Sequence, residues 1–306
     1  MLLLTGAVLL VVILGYMTQT TGLCMVRGVR EWSQGRPEVM LSILCCGVLV
    51  WAVAVASRHL GTGIPFLVFE PGPWFAVGGL LFGLGTALNQ GCSISTLSRL
   101  ASGELQMLTT PLGWVAGWCS LAYWQPNLEV TMLPGPGPGV FALLAAITCA
   151  LALWALLGNP LRRNLWLGMM GIGLLSGILY LYEPGWSPSG LLQDQVAALM
   201  DPDGRQTPRL ARYALVLALL FGMSVAARRL NKLQLRPAGT GPLLLHFIAG
   251  TLMGIGAALA MGGNDSQLLL ALPAFSPAGF LTVACILAGI RLGLFILART
   301  QGRETA

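Results

Sequence analysis

Long apolar runs recur along the whole chain, and they constrain its fold more than any other feature. Each run is about 20 residues long, which is the length that an α-helix needs to cross the hydrocarbon core of a bilayer. Only 9% of the 306 residues are charged, whereas a soluble domain carries roughly 25%. The sequence therefore predicts an all-α polytopic membrane protein that is embedded in the lipid bilayer.

The apolar runs and the charges between them predict nine spans and their orientation. The predicted spans are Leu2–Met17, Val39–Ala56, Pro73–Leu88, Thr110–Trp124, Val140–Leu157, Trp166–Tyr182, Leu210–Ala227, Pro242–Met261 and Ala278–Ala298. Most Lys and Arg residues lie in the loops after odd-numbered spans and in the C-terminal tail. Because such loops remain in the cytoplasm, we expect the N-terminus outside and the C-terminus inside, in the cell inner membrane. These topogenic charges account for the net charge of +6, and without a basic patch that contains aromatic residues, nucleic acid is not a predicted partner.

Several of the apolar helices are interrupted by polar residues. The chain contains 40 glycines and 18 prolines, and breaks at membrane depth are tolerated only where they line a cavity or are buried in protein. We identify four breaks, around Cys24, Cys92, Trp186 and Asn264. This pattern favours a transporter or channel over a simple membrane anchor.

An internal repeat relates two of these breaks. Residues 79–101 and 250–272 align without gaps and share nine identities in 23 positions. We predict a first repeat of four spans in residues 1–139, a connecting span in 140–165 and a second repeat of four spans in 166–306. An odd number of crossings separates the two copies, so they run in opposite directions. Inverted repeats place a site near the midplane, and the prediction is an hourglass in which two breaks enter from each side.

The break at Cys92 carries the strongest chemical signal. Cys92 opens a short helix, with Gln90 before it and Ser93 after it. The free N–H groups at a helix N-terminus attract an anion and favour a thiolate. Cys24 lies in a second break, with hydroxyl residues before it and Arg27 after it. The alternative for both cysteines is a buried structural thiol at a helix junction.

The counterpart break in the second repeat contributes Asn264, Asp265 and Ser266. A buried acid at membrane depth is a functional candidate, although Asp265 can also cap the helix that follows. Arg99 and Glu104 bracket the turn after the Cys92 helix, where a local ion pair and contact with substrate are both open. The supporting candidates are Arg27, Arg99, Glu104 and Asp265.

The remaining titratable groups suggest neither a metal site nor a catalytic centre. We find no Cys/His spacing for a metal, no cofactor motif and no nucleophile–base triad, so no cofactor and no enzymatic activity are predicted. The five other cysteines lie in apolar spans without polar neighbours, and we interpret them as structural: Cys45, Cys46, Cys119, Cys149 and Cys285.

Two motifs resemble the YeeE/YedE family of inner-membrane proteins, which includes thiosulfate permeases. One is Leu23-Cys24-Met25-Val26-Arg27-Gly28, and the other joins Gly91-Cys92 to Arg99-Leu100 and Gly103-Glu104. The resemblance implies an hourglass fold in which three cysteines pass thiosulfate inward through transient S–H contacts. Cys24 and Cys92 correspond to two of the three. The third is expected near the break after the eighth span, where this chain has Gly263-Asn264-Asp265 and no cysteine.

We therefore expect an inner-membrane permease that carries a small sulfur-containing anion, with thiosulfate as the first candidate, into the cytoplasm. Cys24, Cys92, Gln90, Ser93, Asn264 and Ser266 are the predicted substrate-binding residues. One alternative is a membrane sulfur- or selenium-relay protein that hands a thiol-bound persulfide to a cytoplasmic sulfur-carrier protein. The other is a scaffold subunit without transport activity.

Overall fold

A computed structural model describes residues 2–58, 61, 63–124, 126–200, 207–237 and 239–304, with side chains to residue 299. His59, Asp201 and Asp203 lie outside the described residues. The described chain is built from α-helices, and its β contacts are two isolated bridges between loops.

Fourteen α-helices follow one another in the described residues. They are α1 (Leu2–Thr21), α2 (Met25–Ser33), α3 (Glu38–Leu44), α4 (Val50–Arg58), α5 (Pro73–Leu88), α6 (Ser93–Ala101), α7 (Thr109–Trp124), α8 (Pro138–Leu156), α9 (Pro160–Tyr182), α10 (Pro188–Met200), α11 (Leu210–Arg229), α12 (Thr240–Leu259), α13 (Asn264–Ser266) and α14 (Pro277–Glu304). Short 3₁₀ turns precede α4 and α7, and a π-helical segment, Gln267–Ala271, extends α13.

The all-α polytopic fold is confirmed. Among the described residues, seven stretches are long and apolar enough to cross a membrane: Leu2–Ser33, Glu38–Arg58, Pro138–Leu156, Pro160–Tyr182, Leu210–Arg229, Thr240–Leu259 and Pro277–Arg299. The other two predicted spans correspond to α5 and α7, which have 16 residues each. A helix of that size is about 24 Å long, shorter than the ~30 Å hydrocarbon core. The count of nine spans stays a prediction.

The second predicted span is not the continuous helix that we expected. After Leu44 the chain forms a 3₁₀ turn, Cys46–Leu49, before α4 begins. This turn packs directly on neighbouring backbone, because a Cβ atom at Gly173 would lie 1.8 Å from the Cys46 carbonyl oxygen. Hence Cys45 and Cys46 occupy an interruption rather than a regular apolar helix.

Helices from the two halves of the chain are interleaved. The first helix, α1, packs on α11, and α9 packs on the α3–α4 segment; likewise α5 packs on α14, α12 packs on α7, and α5 and α12 pack on each other. Glycines permit these contacts. A Cβ at Gly83 would lie 2.3 Å from the carbonyl oxygen of Ile286, and a Cβ at Gly250 would lie 2.2 Å from that of Thr110.

Loops that we expect on one side of the membrane meet at the same end of the molecule. At the basic end, the Gln234 amide donates to the Ser102 carbonyl at 2.9 Å. At the opposite end, Phe69 bridges to Met132, and the Ala278 amide donates to the Phe69 carbonyl at 3.2 Å. This grouping agrees with the predicted alternation of the loops between the two sides of the membrane. The assignment of one end to the cytoplasm stays a prediction.

Candidate functional site

The breaks after α5 and α12 have the same backbone geometry. Gln90 and Met261 both adopt left-handed conformations, with φ of 53° and 56°. Two residues later, Cys92 has φ −77° and ψ −178°, and Gly263 has φ −76° and ψ −175°. Each residue directly precedes a short helix. The place that a thiol occupies in the first break is therefore held by a glycine in the second.

The two predicted thiols lie close together. Cys92 is completely buried at the start of α6, and Cys24, at the start of α2, is partly exposed. The Cys92 thiol interacts with Cys24 and with the backbone amide of Met25. It also receives a hydrogen bond from the Ser95 hydroxyl at 3.4 Å. The starts of the two short helices thus approach each other at Cys92.

A hydrogen bond joins the Cys92 break to its counterpart. The Ser93 hydroxyl donates to Oδ1 of Asn264 at 2.8 Å. Asn264 is buried, and its Nδ2 has no hydrogen-bond partner; the same is true of both carboxylate oxygens of buried Asp265. Polar atoms buried in this way are rare in folded proteins and call for an explanation.

A small central cavity lies beside both residues. Its volume is about 50 Å³, which is enough for a few water molecules or a small anion. All four breaks contribute to its wall, through Leu23, Ile94, Trp186 with Ser187, and Asn264 with Asp265. The other lining residues are Leu14, Thr18, Cys46, Ile172, Ser176, Tyr180, Pro188, Leu219, Leu268 and Leu269.

Of the six predicted substrate-binding residues, only Asn264 lines the cavity; the others, Cys24, Cys92, Ser93, Ser266 and Gln90, do not. Ser266 is partly exposed and is not among the lining residues. Gln90 is exposed in a separate groove that also contains Arg30 and Arg291.

The charged support residues form local ion pairs. Arg27 binds Glu31 at 2.7 Å on the surface of α2. Arg99 binds Glu104 at 2.7 Å and donates from Nη1 to the carbonyl oxygen of Asn89 at 3.0 Å. Arg99 therefore holds the C-terminal end of α5 against the turn that follows α6.

A buried hydrogen-bond network around Asn89 was missing from the predicted site. Its Oδ1 accepts from Thr110 at 2.7 Å and from Nδ1 of His246 at 2.8 Å. Its Nδ2 donates to Thr96 at 2.7 Å. His246 is one of the two histidines of the chain, and a histidine inside an apolar span is itself a functional signal. Its partner is 157 positions away and could not be inferred from the sequence.

Cys46 and Tyr180 were also missed as cavity residues, because both lie within apolar runs. The described part of the chain contains no group of three His, Cys, Asp or Glu side chains that could hold a metal ion. The polar side chains that line the cavity carry instead hydroxyl groups, one amide and one carboxyl group.

Comparison with known proteins identifies the family of this chain. The profile of the sulphur transport family matches residues 20–159 and 128–292. The chain belongs to this family. A curated relative, the thiosulfate transporter TsuA of Escherichia coli (strain K12), is 26% identical over 302 residues, covering 82% of each chain. The probable transporters YedE of E. coli (strain K12) and Salmonella typhimurium are each 30% identical over 111 residues, covering 36% of this chain and 27% of the relative.

These matches confirm the resemblance to the YeeE/YedE family. Together with the seven apolar stretches, membership of the sulphur transport family identifies a multi-pass membrane protein that transports a sulfur-containing anion.

Proposed function

We propose that this protein is a permease that brings thiosulfate into the cytoplasm. The observation that carries the proposal is the convergence of four helix breaks, among them the two that contain Cys24 and Cys92, on one small cavity. The similarity to a thiosulfate transporter over 82% of the chain supports the choice of substrate.

The chemistry of the cavity suits a sulfur oxyanion. Thiols are weak hydrogen-bond donors, which match the diffuse charge of thiosulfate better than the concentrated charge of a phosphate. The unpaired Nδ2 of Asn264 supplies a stronger donor, and a buried donor without a partner gains free energy when an anion arrives. In this mechanism, the anion contacts Asn264 in the cavity and then the thiols of Cys92 and Cys24.

The proposed route runs through an inverted repeat of residues 1–139 and 166–306, joined by the span in 140–165. The matching dihedral angles of Cys92 and Gly263 support the repeat. So do the reciprocal helix pairs, since α5 packs on α14 as α12 packs on α7. The family profile matches the chain twice, over residues 20–159 and 128–292, as is expected of a chain that contains a repeat.

The burial of Cys92 argues against a sulfur relay through this thiol. A persulfide on Cys92 must be reached by a carrier protein, yet the side chain of Cys92 has no exposed surface. An anion of a few atoms needs only a narrow path. Transport also requires no covalent intermediate, so the mass of both cysteines is expected to stay constant when intact protein is incubated with thiosulfate. A substrate-dependent increase in the mass of either cysteine contradicts this reading.

Uptake of labelled thiosulfate tests the function. Cells that lack their own sulfate and thiosulfate uptake systems are to be compared with and without this protein. We expect uptake only with the protein, and at least a tenfold loss, equivalent to about 1.4 kcal/mol, in Cys92→Ala and Cys24→Ala. Cys149→Ala, which alters an exposed thiol on α8, is the matched control and should transport normally.

Two outcomes separate the parts of this proposal. No uptake by well-expressed wild-type protein overturns thiosulfate as the substrate. Normal uptake in both cysteine variants leaves the permease intact but removes the thiols from the mechanism.

A further inference from the structure

The carboxyl group of Asp265 is the most anomalous group in the central cavity. The residue is 7% exposed, and neither carboxylate oxygen has a hydrogen-bond partner. The backbone amide of Ser266 and the Ser187 hydroxyl lie near this carboxyl group without completing a hydrogen bond to it, and Tyr180 on α9 lies near it as well. Among the ion pairs of the described residues, none includes Asp265.

The surroundings of Asp265 disfavour a negative charge. The other titratable side chains in the cavity wall are Cys46 from the 3₁₀ turn and Tyr180 from α9, and both are neutral when protonated. The residues that α1, α6, α10 and α11 contribute to the wall carry no charge. Arg212 on α11 forms ion pairs with Asp194 and Glu183 and donates to the Gly185 carbonyl. An ionised carboxylate without a partner is costly to bury, so Asp265 retains a proton in this arrangement.

We propose that Asp265 is a proton-binding site that couples the entry of the anion to the entry of one proton. This inference rests on the proposed function. The protonated carboxyl group donates its O–H to the anion, whereas the ionised group repels it. The anion and the proton therefore occupy the cavity together. When the anion leaves toward the cytoplasm, the proton passes from the carboxyl oxygen to water on that side, and Asp265 takes up another from the outside to restart the cycle.

Proton coupling reduces the electrical work that any permease must perform to bring thiosulfate into a cell. Thiosulfate carries two negative charges, and a cell interior that is negative by 100 mV opposes the accumulation of each charge about 50-fold. One proton that enters with each anion cancels one negative charge and so removes one of the two factors of about 50. A pH gradient that is acid outside then contributes a further factor of about ten for each pH unit.

Purified full-length protein in sealed vesicles tests the coupling. The membrane potential is clamped with potassium and valinomycin, and both labelled thiosulfate and external pH are followed. We expect the external medium to become more alkaline as thiosulfate enters, and thiosulfate accumulation to rise about tenfold for each unit of inward pH gradient. Uptake without either effect overturns the proton proposal and leaves the permease standing. Absence of uptake overturns the permease itself.

Two variants assign the coupling to Asp265. Asp265→Asn keeps a neutral donor but cannot release a proton, so the thiosulfate exchange that remains should lose both the pH effect and the proton signal. Asp265→Glu keeps the acid and should retain both. Unchanged proton coupling in Asp265→Asn overturns the assignment. If neither variant folds, as judged by size-exclusion chromatography, the proton measurement on the wild-type protein still decides whether transport is coupled to protons.

Discussion

Asn89 connects three helices through its side chain, and we expect its loss to destabilise the protein. Replacement by alanine leaves Thr110 and Nδ1 of His246 without their acceptor, and Thr96 loses its donor. A buried polar group that loses its partner costs about 1–3 kcal/mol. We therefore expect Asn89→Ala to be destabilised by about 3 kcal/mol, measured by thermal unfolding in detergent.

The control for this substitution is Ser120→Ala, which removes an exposed hydroxyl that bonds only within its own helix. This variant should unfold at the wild-type temperature. A wild-type unfolding temperature for Asn89→Ala contradicts the importance of the network.

Asn264 is the second residue for which the structure makes a specific prediction. Its Nδ2 has no partner within the protein, whereas its Oδ1 accepts from the Ser93 hydroxyl, so Asn264→Leu removes a donor for the anion and also leaves Ser93 without its acceptor. We expect at least a tenfold loss of thiosulfate uptake, with destabilisation of about 1–3 kcal/mol from the lost hydrogen bond. Asn164→Leu, at an exposed amide of α9, is the matched control. Unchanged uptake in Asn264→Leu excludes this side chain from the binding site.

At the scale of helices, close backbone contact between α5 and α14 depends on individual glycines. A Cβ at Gly83 would lie 2.3 Å from the carbonyl oxygen of Ile286 and 2.9 Å from the Cα of Gly289. Backbone cannot move away as a flexible side chain does. Gly83→Val should therefore separate the two helices and destabilise the protein by about 3 kcal/mol, measured as a lower unfolding temperature and a smaller folded fraction.

A matched substitution distinguishes packing from the properties of valine in a helix. Gly6 lies in α1 with no atom within 4 Å of a built Cβ, so Gly6→Val should fold normally. Equal stability of Gly83→Val and Gly6→Val contradicts the proposed role of the α5–α14 contact.

At the scale of the whole molecule, the orientation in the membrane can be measured directly. We predict that the basic end, which contains Lys232, faces the cytoplasm, because positively charged loops are retained there. Lys232 and Thr131 are both exposed and lie at opposite ends. A membrane-impermeant maleimide should label Thr131→Cys in intact cells and Lys232→Cys only after permeabilisation, each judged against the parent protein. The reverse pattern contradicts the predicted topology.

Much of the fold could be predicted because hydrophobicity and chain breaks are local properties. Apolar runs of helical length indicate spans without knowledge of their neighbours. The alignment of residues 79–101 with 250–272 selected the two breaks whose dihedral angles agree at Cys92 and Gly263. The second span was predicted less well. Its 3₁₀ turn depends on the close approach of Gly173 to Cys46, a contact between distant parts of the chain.

The sequence by itself determined the class of the protein, the position of its main breaks and the residues that begin the short helices after Cys24 and Cys92. Only the tertiary structure decided which polar groups find partners. Asn89 meets His246 across 157 positions, whereas Asp265 lies in the central cavity with both carboxylate oxygens unpaired. The physical reason is that helix formation and membrane insertion follow local composition. Hydrogen bonding and burial of a side chain depend instead on helices that are far apart in the sequence.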